Sequence, residues 1–443
     1  MSSFARRAFI TGVTQVLSLI LNLGISIIIA RVLGPEGKGV YSITLLLPSL
    51  MVTLSHLGIN FATVYYVAQR CFPKQEVLGN NVWLASWLGT AGGVVGGIIV
   101  FLFQDRVVPG VPRGYVFFAL TLIPVELLFS YIQYFLLGLQ RIKEFNTIVL
   151  IHKALSLILV AVVVWFMRGG VLGAVAASLV SWVLAAGLLF VTAARIAGGV
   201  SFRLNLTYVR RALTFGVQTH LGNIFWFLTH RIDLLLVNGF LGPLAVGFYS
   251  VGVALAEYLW MISQAASTVL LPKVAAETDE DRRRSFTPVV ARTVLLVTAL
   301  GAAVLAFVSR WIVGLFYSEA FLPAVQPFQI LLPGIVALSA GRVLANDIAG
   351  RGRPMLNTYV VAVALVVNIV LNIVLIPRYE IAGAAWASSI SYTLILIARL
   401  FLYCRLSGNR WTSVVLPQRG DWALYWRTGL ALSQWIYGKL RGC

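Results

Sequence analysis

Apolar residues run along this chain in blocks of about twenty or more, separated by short stretches rich in charge, glycine and proline. A helix rises about 1.5 Å per residue, so roughly 20 apolar residues cross the ~30 Å hydrocarbon core of a bilayer. The pattern predicts twelve such spans, at 8–30, 40–67, 82–103, 115–139, 147–166, 171–194, 212–238, 244–271, 289–309, 322–349, 355–376 and 382–404. Two arginines precede the first block, as in a signal peptide. The block is too long for a cleaved signal core of about 7–15 residues, and no small-residue cleavage site follows it. It therefore reads as the first membrane helix. Trp311 to Tyr317 reads as an interfacial turn. Pro48, Pro124 and Pro333 fall inside spans and are expected to kink them.

Composition agrees with this pattern. Hydrophobic residues make up 59% of 443 and charged residues 11%, with a mean hydropathy of +0.90. Soluble domains carry about a quarter charged residues, so a soluble enzyme, a disulfide scaffold and a disordered chain are all excluded. Three scattered cysteines form neither a disulfide framework nor a metal site. The net charge of +19 comes with no nucleic-acid motif. Its distribution points instead to topology. With the N-terminus inside, 23 Lys and Arg fall on the cytoplasmic side and seven outside, Arg31 and Lys38 among the seven. That bias predicts both termini in the cytoplasm of a multi-pass inner (plasma) membrane protein, and much of the charge meets anionic lipid.

The sequence also repeats. Leu33-Gly34-Pro35, Gly39 and Tyr41-Ser42 recur 208 residues later as Leu241-Gly242-Pro243, Gly247 and Tyr249-Ser250. Pro124 with Ser130, Asn146-Thr147, and Gly173-Ala174 with Ala177-Ser178 and Ser181 recur at offsets of 209 to 211. A six-span unit enters the membrane twice in the same orientation, so the predicted fold is all-α, two six-helix lobes about a pseudo-twofold axis along the membrane normal. The domains are an N-lobe over 1–195, a basic cytoplasmic linker over 196–211, a C-lobe over 212–404 and a cytoplasmic amphipathic tail over 405–443.

Ala30-Arg31-Val32-Leu33-Gly34-Pro35 leading to Gly39-Val40-Tyr41 resembles the opening of the polysaccharide (O-antigen type) flippases. Arg231 to Val237 with Leu241-Gly242-Pro243, Leu271 to Ala275, and Asn368 to Tyr392 extend the resemblance over about residues 4–405. That family shares a superfamily with multidrug/toxin extruders and lipid II flippases, the latter with more spans. Departures are Arg351-Gly352-Arg353-Pro354 in place of a Gly-Lys-Pro turn and Glu380 where glycine is usual. The resemblance implies a V-shaped pair of lobes, like that of the multidrug extruders, around an alternating-access cavity. Its implied cargo is an oligosaccharide on polyprenyl pyrophosphate, moved from inner to outer leaflet for surface polysaccharide synthesis. A polymerase or glycosyltransferase is then a candidate protein partner.

A charge at mid-bilayer costs roughly 2.5–3.5 kcal/mol on insertion scales, so intramembrane charges mark function or pairing. Thr219, Asn223, Trp226, His230 and Asp233 share one face of the seventh span. Arg231 stands about 100° from that face and, two residues from Asp233, does not meet it. The functional reading places Arg231 on the pyrophosphate, with Asp233 orienting it or binding a coupling cation; the structural alternative is an interhelical clamp. Lys153 and His152 sit one turn into the fifth span, where the lysine either receives a headgroup or snorkels. Arg342 lies deeper in the tenth. Candidate substrate contacts are thus Arg231, Arg342, Lys153, His230 and Asn223. Candidate ion-coupling residues are Asp233, Glu257 and Glu126, and either glutamate also suits pairing with Arg231 or Arg342. Arg399 reads as an interfacial anchor, Arg31 as structural, and His56 and His220 as packing.

Gly92-Gly93 and Gly96-Gly97 read as helix-packing residues. No phosphate-binding Walker signature, catalytic nucleophile–base set or metal cluster is visible, so neither ATP use, enzymatic activity nor a cofactor is expected. Rival readings remain: a cation-coupled drug or metabolite antiporter on the same fold, a major-facilitator carrier whose usual Asp-Arg motif is missing from residues 68–81, and a non-transporting scaffold.

Overall fold

The computed structural model describes residues 3–260, 263–264, 270, 274, 277, 279–418 and 420–421, with backbone alone for 3–10, 218 and 219. The side chain of Thr219 and the tail from 422 onward lie outside the described residues. Every regular element among those described is helical, as apolar segments require when no water is at hand to satisfy backbone groups.

The order is α1 (Ser3–Ser55), α2 (Ile59–Ala68), α3 (Lys74–Val107), α4 (Arg113–Leu120), α5 (Leu122–Gly138), α6 (Ile142–Val160), α7 (Gly170–Ala197), α8 (Leu206–Leu241) and α9 (Pro243–Leu259). There follow α10 (Glu280–Ile312), α11 (Val325–Gly350), α12 (Pro354–Ser407) and the short α13 (Trp411–Val415). Among the described residues nine helical stretches are long and apolar enough to cross a membrane, and Pro243–Leu259 is a shorter apolar helix. Two of the nine, α1 and α12, each carry two of the twelve expected spans.

The junctions inside α1 and α12 differ from the loops expected at 31–39 and 377–381. A single residue resets each helix axis: Gly34, at φ 69° and ψ −177°, and Glu380, at φ 51° and ψ −135°. The helix resumes at Pro35, whose fixed φ suits a first turn. Near Pro124 the expected kink takes the form of the gap between α4 and α5, because the proline ring opposes the carbonyl four residues earlier, at Leu120. Trp311 to Tyr317 ends α10 in a π-helical turn (Val313–Tyr317) followed by a short 3-10 segment, Glu319–Ala324.

The internal repeat has a backbone counterpart. Gly242 adopts φ 79° and ψ −179°, nearly the conformation of Gly34. Gly170, at φ 61°, stands 210 residues before Glu380. The repeated turns also pack on each other reciprocally. A Cβ on Gly39 would lie 1.7 Å from the Pro243 carbonyl oxygen, and one on Gly247 would lie 1.9 Å from that of Pro35. Ser42 and Ser250, the repeat equivalents one turn further on, sit 3.4 Å apart, Oγ to Oγ. Such reciprocity is how two-fold contacts are built, and only glycine admits backbones this close.

By contact the chain divides into two compact units. The first comprises 1–258, 306–331 and 361–391; the second takes the described residues of 259–305, 332–360 and 392–443. In the first, Ile29, Val160, Val164, Ala174 and Val175 join α1, α7 and the end of α6, and Arg31 donates to the carbonyls of Phe316 (2.8 Å) and Leu315. In the second, Val294, Leu344, Tyr403 and Val414 form a core. Beside it, Asp347 accepts from Thr287 (2.6 Å) and Arg351, which also pairs with Glu280 at 2.5 Å.

Candidate functional site

The first unit has an open polar cavity of about 550 Å³ among α1, α5, α6, α7, α8 and α9. Its walls carry Lys38, Glu126, Lys153, Arg231 and Glu257, with Ser42, Ser49, Ser156 and Ser250 between them. Three cations and two acids in helices otherwise this apolar are costly unless water or a ligand reaches them.

Arg231 is half-buried and its guanidinium forms a two-pronged pair with Glu257, at 2.9 and 3.1 Å. Bidentate geometry of this kind fixes orientation as well as charge. Lys38 is 8% exposed; its ammonium donates to Ser26 Oγ at 3.2 Å and lies 5.8 Å from the centre of the Tyr41 ring. Lys153 and Glu126 interact electrostatically across the cavity, and neither belongs to an ion pair within 4 Å among the described residues. With one arginine matched by one glutamate, Lys38, Lys153 and Glu126 leave the chamber with one net positive charge.

The structure thus gathers four of the residues singled out from sequence, Arg231, Lys153, Glu126 and Glu257, on one chamber, and adds Lys38. Lys38 had been assigned to an outside loop. It lies inside because the turn closes within one residue, leaving Lys38 a turn into the second span. The nearness of the Tyr41-Ser42 repeat motif is the signal that would have found it.

Asp233 is 1% exposed and lines no part of the cavity. Its carboxylate accepts from the Tyr249 hydroxyl (2.6 Å), Ser388 Oγ (3.1 Å) and its neighbour's backbone N–H (2.8 Å). It thereby clamps α8 to α9 and α12. Asn368 donates to Ser388 at 3.5 Å, and Asn372 donates to Asn368, extending the polar cluster. His230 is buried, with Nδ1 2.8 Å from the Trp226 carbonyl oxygen and its ring 4.2 Å from that of Trp226. Asn223 is exposed on α8. Neither lines the cavity.

Arg342 belongs to the second unit. It donates to Gln264 at 3.1 Å and stands 4.8 Å over the Trp260 ring. Arg399, read from sequence as an interfacial anchor, is 3% exposed and donates to the Gly341 carbonyl at 3.4 Å. His152 packs on Trp182 with ring centres 4.1 Å apart. His56, bonded to Ser130 at 2.9 Å, lies 6.4 Å from His220.

The helical architecture and its polar chamber define a polytopic membrane protein with the fold of the transporter superfamily that holds multidrug extruders and lipid II flippases. A lipid II flippase structure, MurJ in an inward closed conformation, superposes with a TM-score of 0.75 at 15% identity, covering 88% of this chain and 86% of that one. An inward-facing multidrug resistance transporter gives 0.73 at 14% identity, covering 88% and 94%. The chain belongs to the polysaccharide biosynthesis protein family, whose profile matches residues 4–276; a MatE profile matches 219–374. A probable low-salt glycan biosynthesis flippase, Agl15 of Haloferax volcanii, is 23% identical over 40% of this chain and 38% of its own length. The chain spans less than half the length of the curated relatives it matches.

Proposed function

We propose that the protein is a flippase carrying a polyprenyl-pyrophosphate-linked oligosaccharide from the inner to the outer leaflet by alternating access. The observation that carries this reading is the chamber holding Lys38, Lys153 and Arg231 amid serine hydroxyls. Ammonium and guanidinium groups suit phosphate oxygens, while the serines and Trp182 suit a glycan. In this reading Lys153 and Lys38 hold the pyrophosphate, and Glu257 keeps Arg231 aimed until the anion arrives. The lipid tail stays in the bilayer. An anion leaving a negative-inside cell gains about 2.3 kcal/mol per charge per 100 mV, which supports outward movement.

Coupling to an ion falls to the acids. Glu126, facing Lys153, is the cavity group suited to a proton. Asp233, buried against the Tyr249 and Ser388 hydroxyls, is suited to a proton.

The test is export of surface glycan in cells whose own flippase is deleted. K38A/K153A/R231A is expected to lower export at least tenfold with normal protein levels; wild-type export from that variant removes the site. A second reading, cation-coupled extrusion of drugs or metabolites, is favoured by the two acids in the same chamber and by the MatE match. It predicts efflux of a cationic dye that E126Q/E257Q abolishes, with glycan export unaffected by loss of the lysines.

A further inference from the structure

The first unit has a second concavity, about 710 Å³, where the end of α2 meets the start of α8. It is lined chiefly by Tyr66, Thr207, Arg210, Arg211, Thr214 and Phe215. No acid is among its lining residues. Arg210 and Arg211 are both exposed, and neither takes part in an ion pair among the described residues. Two adjacent guanidiniums with no acid in the lining make the cleft locally positive, which favours an anion there.

Aromatic rings build its wall. Tyr65 and Phe215 stack at 5.0 Å with planes 21° apart. Tyr66 meets Phe215 and Phe72 edge-on at 6.2 and 5.7 Å. Arg211 stands 5.9 Å over the Phe72 ring, a contact that limits the guanidinium's freedom and lowers the entropy lost on binding. The ligand class follows from the lining. Planar forks with no acid in the lining suit phosphate oxygens bidentately, and ring faces suit an organic substituent beside the phosphate. Depth follows from the same rings, because Tyr and Trp at the ends of apolar helices mark headgroup level. Exposed Trp83 and Trp87 on α3 continue the belt, and Trp83 donates to the Phe202 carbonyl at 3.1 Å, tying the segment before α8 to α3.

We propose that this cleft is a docking site for lipid-borne pyrophosphate, which captures the carrier's headgroup at the membrane face before it enters the cavity. The proposal rests on the flippase reading for the identity of the carrier. Arg210 and Arg211 donate to the phosphate oxygens, and Tyr66 and Phe215 support the first sugar or prenyl unit.

The experiment uses the full chain in phosphatidylcholine nanodiscs, titrated with a fluorescent short-chain polyprenyl diphosphate. Wild type is expected to bind at the cleft and in the cavity. R210A/R211A, changed at two exposed positions and checked for an unaltered unfolding temperature, is expected to weaken the cleft phase at least tenfold. R210K/R211K is expected to restore part of it, because lysine keeps the charge but loses the fork. K38A/K153A is expected to keep the cleft phase intact. Unchanged binding by R210A/R211A overturns the proposal. So does displacement of the probe by phosphatidylglycerol at equal mole fraction, which makes the cleft a general anionic-lipid contact. If glycan export is indifferent to Lys38 and Lys153 while probe binding still needs the two arginines, the cavity reading fails and the cleft stands.

Discussion

Individual side chains divide into those whose role spacing announces and those whose role depends on a partner. Sequence left Glu257 and Glu126 equally suited to Arg231 or Arg342; the structure gives Glu257 to Arg231 and sets Glu126 opposite Lys153. Nothing in linear spacing tells which of two acids 105 and 26 residues from Arg231 will face it. Glu380 is the opposite case, a residue that stands out in the sequence as a departure from glycine and proves to adopt φ 51°. A non-glycine side chain held in such a conformation costs about 1–3 kcal/mol, against which glycine's extra unfolded-state entropy sets about 0.5–1 kcal/mol. Glu380→Gly is therefore expected to stabilise by about 1 kcal/mol, read as a higher unfolding temperature in detergent. An unchanged or lower temperature contradicts the strain.

Among elements, the repeated Gly-Pro turns matter most, because they bring α1 and α9 into contact too close for any side chain. Gly39→Ala places a methyl carbon 1.7 Å from the Pro243 carbonyl oxygen and is expected to cost about 3 kcal/mol, as overpacking does at its upper range. Gly239→Ala, where nothing lies within 4 Å, is expected to be neutral or mildly stabilising through helix propensity. The two are compared by folded yield after size-exclusion chromatography. In the second unit, α13 and Asp421 are pinned to α10. The Arg292 guanidinium donates twice to Asp421 at 2.7 Å and once to the Ser413 carbonyl. Those Arg292 hydrogen bonds hold the Asp421 carboxyl below its usual range. The pin is thus fully present above about pH 4, the ordinary aspartate value, and is lost as pH falls through the lower folded value. Hydrogen exchange of residues 411–421 is expected to accelerate only below that range, and Asp421→Asn to accelerate it at neutral pH.

For the whole molecule the charge bias is the governing statement. The orientation proposed from it, with both termini in the cytoplasm, would put the connection holding Arg70 and Lys74 inside the cell. Cys71, free and exposed there, tests this in a C404S/C443S background. A membrane-impermeant thiol reagent is expected to label it in inverted vesicles and not in intact cells; labelling in intact cells reverses the topology. The all-helical multi-span class, the repeat, the Gly-Pro turns and the family were readable in the sequence. Hydrophobic thickness imposes a fixed run length, and backbone conformation at a turn is set by one or two local residues. Membership of the chamber was readable only in part. Arg231, Lys153, Glu126 and Glu257 stood out as charges within apolar runs, yet Asp233 proved to be sealed among hydroxyls, and Lys38 was missed. Burying a charge is costly wherever it occurs, so sequence exposes the cost, while the direction in which each side chain points is decided by how the helices rotate and pack against one another.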